Sequence, residues 1–315
     1  MKADLYKKTD SYLQNHHLDN YHANIILANH TWYHIGGVAT FLVYPHDLAS
    51  LQALIKFCKH NKIRFAILGY GANILASDDG FDGIIIKLTK YFNKIFRINE
   101  DRIKVQAGVA LSDLILYCEE HYLGGLACLA GIPSTVGGAM IMNAGVDQGC
   151  IGDTIEEVVV LDEDTNLLSY PKEALDINYR SIDQLQDKIV LEVTFGLQTS
   201  PKDELEKIRK QQLETRLKKQ PLDYPSCGSV FKRPAGHYVG KMVEDLGLKG
   251  TKKNDAMISE KHAGFIINCN KAKAEDVLYL MRLIYHEVWE NYHIELEPEV
   301  RLLGFYEDIN QLLRR

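Results

Sequence analysis

Two stretches of this 315-residue chain would let a ligand reach bare backbone. "LGYGANILASDDG" ends an apolar run in Gly69-Tyr70-Gly71-Ala72-Asn73. "LAGIPSTVGGAMIMNAG", residues 129–145, holds five glycine or proline positions and no charged side chain, in a sequence that is 25% charged. Successive N–H groups in glycine-rich turns form anion-binding concavities. Without a β-carbon, a pyrophosphate or a flat ring can lie directly on the main chain. Gly36-Gly37 in "NHTWYHIGG" supplies a third such turn. A lone G-x-G is equally the mark of any tight turn. The pattern also lacks the third glycine and the downstream acidic residue of the nicotinamide fingerprint. Two such loops flanking hairpins, with a third before them, are harder to dismiss as turns alone.

The elements that must carry these loops are legible from periodicity. Residues 48–62 read as an amphipathic helix, and "IRFAILG" and "GIIIKL" as two buried strands. "KIFRINEDRIKVQAG" and "VVVLDEDTNLLSY" alternate about acidic turns and predict hairpins. In "ALSDLILYCEEHYL", Leu111, Leu114, Ile115 and Cys118 share one helical face that leads into the second glycine-rich stretch. "KIVLEVTFGL" is a further strand. Ser200-Pro201 signals a helix start, a cap followed by proline at the first helical position. Val277, Leu280, Ile284 and Val288 form a core-facing stripe. The segment "IELEPEVRL" predicts an edge or bulged strand around Pro298, with Ile294, Leu296, Val300 and Leu302 on one face and Glu295, Glu297, Glu299 and Arg301 on the other.

These elements predict an α+β protein: a two-lobed region over residues 1–200, with lobes at about 20–90 and 91–200, and a smaller αβ domain over 201–315. No uninterrupted β-α-β-α run supports a doubly wound dinucleotide fold. A net charge of −6 argues against bulk attraction to nucleic acid or an anionic membrane. The charged start of the sequence and the lack of a long apolar run predict a cytoplasmic protein with no membrane segment. Six widely spaced cysteines offer no zinc ladder, so no metal is expected and reduced thiols are.

In order along the chain, "NHTWYHIGG", "LGYGANIL", "LAGIPSTVGGAMIMNAG", "NYRS", "QPLDYPSCGSVFKRP", "SEKHAGFIIN" and "LEPEVRLLG" resemble the UDP-N-acetylenolpyruvoylglucosamine reductase (MurB) family of peptidoglycan synthesis. The short spacing from "NYRS" to "CGSVF" resembles its short subtype. The resemblance implies a two-lobed FAD-binding unit of the PCMH type and a C-terminal substrate-binding domain. NADPH would reduce FAD, and the flavin would reduce the enolpyruvyl ether of UDP-N-acetylglucosamine to UDP-N-acetylmuramate. It implies FAD contacts along Gly69, Tyr70, Gly71, Ala72 and Asn73. A second set would come from Gly131, Ile132, Pro133, Ser134, Thr135, Gly137, Gly138 and Asn143.

The same resemblance implies three residues for the chemistry. Arg180 would hold the substrate carboxylate and the developing enolate, a task suited to a planar donor fork. Ser229 would supply the proton, and Glu299 would help stabilise the enolate, as a neutral acid raised by burial. On position alone Glu295 and Glu297 serve equally well. Lys219 matches the family's phosphate-contacting lysine, with Arg216 and Arg233 near it in sequence. A small-molecule substrate is the only partner implied.

Several positions depart from the family pattern: Ala127 for glutamate, Ser134 for glycine, Ala72 for serine, and "VDQG" at 146–149 for "AYGG". They bear on FAD affinity and leave Arg180, Ser229 and Glu299 in place. Two other readings follow: a paralogue that binds flavin or a UDP-sugar without turnover, and an oxidase with covalently held flavin, for which His34 would be the attachment point.

Overall fold

The computed structural model describes residues 2–16, 18 and 20–314. The chain forms two compact units, each with its own hydrophobic core. The first comprises residues 1–23, 41–69 and 83–215, and the second 24–40, 70–82 and 216–315. A cut at residue 200 does not reproduce this partition, for two reasons. The α-helix Lys202–Lys219 begins where Ser200-Pro201 signals it, yet its first part is tied to the first unit. Arg209 grips the buried Glu119 carboxylate through Nε at 2.6 Å and Nη2 at 3.2 Å, and Lys202 pairs with Glu120 at 2.7 Å. Residues 24–40 and 70–82, from the expected first lobe, belong to the second unit, whose core includes Tyr33, Ile35 and Leu75.

In the first unit a five-stranded sheet has the order Leu167–Pro171, Ile155–Leu161, Ile189–Gly196, Arg102–Gln106, Ile95–Arg97, antiparallel throughout. Both predicted hairpins lie in it. Strand Arg64–Ile67 pairs in parallel with residues 83–86 of Phe81–Ile86. Helix Leu48–His60 starts where Asp47 accepts from the Ser50 N–H at 2.8 Å. Helix Leu111–Glu120 buries Leu111, Leu114, Ile115 and Cys118, the face its spacing predicts.

In the second unit, helix Ala274–Tyr292 buries Val277, Leu280, Ile284 and Val288 and lies against the strands Lys252–Lys253 and Ala256–Ile258. The predicted strand over "IELEPEVRL" is shorter than its alternation implies. Only Arg301–Leu303 is a strand, paired in parallel with Ile74–Ala76. Pro298 has no N–H to give a ladder, and it makes a single isolated bridge with Phe231. The segment's burial still alternates, with Leu296 and Val300 inside and Glu295 and Glu297 outside.

Candidate functional site

The two glycine-rich stretches meet in the first unit. A β-carbon on Gly69 would stand 2.6 Å from Oγ1 of Thr135, so only glycine lets the two loops touch. That hydroxyl also caps the short helix Val136–Ile141, accepting from the Gly138 N–H at 3.2 Å. The loop over 131–138 offers fewer amides than its sequence suggests. The Val136 and Gly137 N–H groups bond the carbonyls of Val109 and Ala107 at 2.9 and 2.8 Å. Ile132 and Ser134 donate within the loop, to Leu129 and Ile132. Gly131 and Thr135 keep N–H groups with no partner among the described residues. Gly137 also answers to the protein's own packing: a β-carbon there would lie 2.9 Å from that of Ala107. Pro133 is half-buried beside it, and the Ser134 hydroxyl donates to the Thr135 carbonyl at 2.9 Å.

In the second unit Gly71 sits at φ +67°, where a β-carbon would meet the His30 carbonyl at 2.8 Å and Thr31 Cα at 2.9 Å. Its carbonyl accepts from the Trp32 N–H at 3.2 Å. Beside it, Tyr70 and Ala72 are half-buried. The N–H groups of Gly69, Gly71 and Ala72 have no partner among the described residues, which is what an anion-binding turn requires.

Asn73 acts differently from its neighbours. Its Nδ2 donates to the Glu299 carbonyl at 2.9 Å, and its own carbonyl accepts from the Arg301 N–H at 3.0 Å. Glu299 is held at its other end too, its N–H donating to the Val230 carbonyl at 2.9 Å. The segment 229–232 runs between two others: Ser229 bridges Phe265, Val230 donates to Gly264 at 3.1 Å, and Lys232 donates to Glu297 at 2.8 Å. The second unit thereby joins the segments that carry Ser229 and Glu299 through one backbone hydrogen bond. Both side chains are half-buried.

Arg180, in the first unit, occupies the two-residue reversal between Ile177–Asn178 and Ser181–Ile182 at φ +61°, a left-handed conformation unusual for arginine. Its Nη1 donates to the Gly145 carbonyl at 3.2 Å, and its guanidinium lies 5.0 Å from the Tyr179 ring centroid. The buried Asn143 steadies this hairpin, donating to the Asn178 carbonyl at 2.8 Å and accepting from the Gly152 N–H at 3.1 Å. Its amide is thus spent on structure.

The three basic candidates differ. Lys219 is exposed at the end of its helix. Arg233 is exposed, with its guanidinium 4.4 Å from the Tyr238 ring centroid. Arg216 is drawn inward: burial lowers its pKa from the ordinary guanidinium value, and its Nε is enclosed without a partner. One turn on, the Gln220 Oε1 is enclosed and unpartnered as well. An enclosed orphan donor near the end of the helix and an orphan acceptor just past it would suit a ligand that offers both partners.

The family profile described as "UDP-N-acetylenolpyruvoylglucosamine reductase, C-terminal domain" matches residues 220–303, and an FAD binding domain profile matches 39–169. The reductase of Clostridium botulinum strain Okra is 41% identical over 279 residues, 88% of this chain and 90% of the relative. That of Clostridium novyi is 38% identical over 302 residues, 96% and 97% of the two chains. The chain belongs to the UDP-N-acetylenolpyruvoylglucosamine reductase family. The crystal structure of the Thermus caldophilus family member superposes with a TM-score of 0.77 at 32% identity, covering 89% of this chain and 98% of that one. The α+β fold with an FAD-binding region and a reductase C-terminal domain is therefore as the sequence predicts.

The residues present fit FAD. Gly69 and Gly71 are places where a β-carbon would collide, and the amides around them remain unspent. Sequence reasoning missed the structural tasks of Asn73 and Asn143, which are hydrogen bonds spanning 226 and 35 residues. It also missed Gln220, whose orphan oxygen only the fold reveals. No helix among the described residues is long and apolar enough to cross a membrane.

Proposed function

We propose that the chain reduces the enolpyruvyl ether of UDP-N-acetylglucosamine to UDP-N-acetylmuramate at the expense of NADPH, with Arg180, Ser229 and Glu299 as the reacting side chains. Bound FAD would accept hydride from NADPH and deliver it to the methylene carbon of the enol ether. The alkene electron pair then shifts onto the carbon bearing the carboxylate, and the protein must stabilise that charge and protonate that carbon. Arg180 binds the substrate carboxylate through its donor fork and holds the enolate. Ser229 gives its hydroxyl proton to the carbon, completing the saturated ether, and recovers a proton from solvent. Glu299 shares in stabilising the enolate. Arg216, with Lys219 and Arg233, meets the substrate's diphosphate.

The observation that carries this reading is the pairing of the segment that holds Ser229 with the one that holds Glu299. One backbone hydrogen bond, Glu299 N–H to Val230 carbonyl at 2.9 Å, joins the segments that carry the two candidates. A module that only bound flavin or a UDP-sugar would have no use for that pairing. The purified protein is expected to be yellow, to release FAD on denaturation, and to oxidise NADPH in proportion to added enolpyruvyl sugar. Flavin that NADPH reduces but the enolpyruvyl sugar never re-oxidises would favour the binding paralogue. Flavin that stays attached after denaturation would favour the covalent reading through His34.

A further inference from the structure

The Ser229 hydroxyl is a weak acid, and after giving up a proton it is left as an alkoxide. Something beside it must steady the hydroxyl before transfer and the oxygen afterwards. The second unit offers one group. A β-carbon on Gly264 would lie 3.7 Å from the Ser229 Oγ and 3.1 and 3.2 Å from Cε1 and Nδ1 of His262. The hydroxyl and the imidazole therefore border the same small space, left open because residue 264 has no side chain. A second glycine borders the same edge of the ring, since a β-carbon on Gly240 would stand 3.5 Å from His262 Cε1 and 3.7 Å from Nδ1. Phe265 meets it edge-on at 4.8 Å. Neither the Ser229 hydroxyl nor the His262 Nε2 has a hydrogen-bond partner among the described residues.

The tautomer is fixed by the backbone. The Gly264 N–H donates to Nδ1 at 3.2 Å, so the neutral ring carries its proton on Nε2. We propose that His262 is a positioning residue for Ser229: its Nε2–H donates a hydrogen bond, direct or carried by one water, to the Ser229 oxygen. The bond aims the hydroxyl proton at the substrate carbon and steadies the alkoxide that remains. Burial, the largest influence on this imidazole, holds its pKa below the ordinary histidine value, which keeps the ring in the neutral form this role needs.

The inference rests on Ser229 being the proton donor, and the test separates the two. FAD-loaded enzyme is reduced anaerobically with NADPH, and re-oxidation by the enolpyruvyl sugar is followed in a stopped-flow instrument. His262→Phe should slow re-oxidation by about 10- to 100-fold, the usual scale for loss of an orienting partner, with flavin reduction by NADPH unchanged. His262→Gln, whose amide N–H can stand where Nε2–H stands, should recover much of the rate. In a Ser229→Ala background His262→Phe should cost nothing further, because it acts only through that oxygen. A full additional loss in that background, or a His262→Gln enzyme as slow as His262→Phe, overturns the proposal while leaving Ser229 as donor. Wild-type re-oxidation by Ser229→Ala alone overturns both.

Discussion

The side chain of Asn73 donates to the backbone carbonyl of Glu299 at 2.9 Å. A residue in the first glycine-rich loop thereby fixes the chain that carries a candidate catalytic carboxyl. With the Val230 carbonyl taking its N–H, Glu299 is pinned at both ends of its peptide framework. Asn73→Ala removes one bond, worth about 1 kcal/mol of stability. The expected result is a kcat down by about tenfold or more with the enolpyruvyl substrate's KM little changed, because the role proposed for Glu299 is on the enolate rather than in ground-state binding. Steady-state kinetics beside a thermal melt check both parts.

Gly69 and Gly71 are predicted to be intolerant of a single methyl group. Gly69→Ala places a β-carbon 2.6 Å from the Thr135 hydroxyl, and Gly71→Ala one 2.8 Å from the His30 carbonyl. Both variants should purify with less flavin than wild type, read as the ratio of visible to ultraviolet absorbance. Gly247→Ala is the control. It has the same positive φ, +70°, but nothing within 4 Å of its β-carbon, so it should cost about 1 kcal/mol of stability and retain its flavin.

Arg180 pairs strain with its proposed role. At φ +61° a non-glycine residue costs on the order of 1 kcal/mol. Arg180→Gly should leave the thermal midpoint unchanged or raise it, while product formation falls by about a hundredfold or more. A variant that melts earlier and still turns over would separate the strain from the chemistry.

The half-buried Arg216 is proposed to meet the substrate's diphosphate. Its enclosed Nε lacks a protein partner, as does the nearby Gln220 Oε1. Adding UDP-N-acetylglucosamine, which carries the diphosphate without the reacting group, should raise the melting midpoint of wild type. Arg216→Ala should lose that rise and show a KM for the enolpyruvyl sugar raised about tenfold or more.

The His262 imidazole also predicts a pH dependence of stability. Burial lowers its pKa, the Lys249 charge adds to the lowering, and a backbone hydrogen bond opposes it. Its folded pKa lies below that of the unfolded chain, about 6.5, so the unfolded state takes up the proton first as pH falls. The contribution is present in full above the unfolded value and is lost as pH falls toward the folded one. Thermal midpoints measured from about pH 8 to about pH 5 should fall less steeply for His262→Gln than for wild type.

Much of the fold was legible because local signals agree with the tertiary structure. The apolar period over residues 48–62 marked the helix Leu48–His60, and alternation about acidic turns marked both hairpins. Non-local arrangements left less trace. Nothing in residues 24–40 or 70–82 marks them as part of the second unit, because that follows from long-range contacts such as the Tyr33 hydroxyl donating to the Ile266 carbonyl at 2.7 Å. The amides of 131–138 looked free in sequence, whereas Val136 and Gly137 are claimed by Val109 and Ala107. Pro298 ended a ladder that the alternation alone would have extended. Among the candidate site residues, motif order selected Ser229 and Glu299, and the fold supplied the bond that joins their segments.

The account turns on Ser229 as the source of the proton, and Ser229→Ala in anaerobic stopped-flow tests that most directly. NADPH should bleach the flavin at the wild-type rate, and re-oxidation by the enolpyruvyl sugar should fall by about a hundredfold or more. Re-oxidation at the wild-type rate, with the saturated ether formed in equal amount, would contradict it.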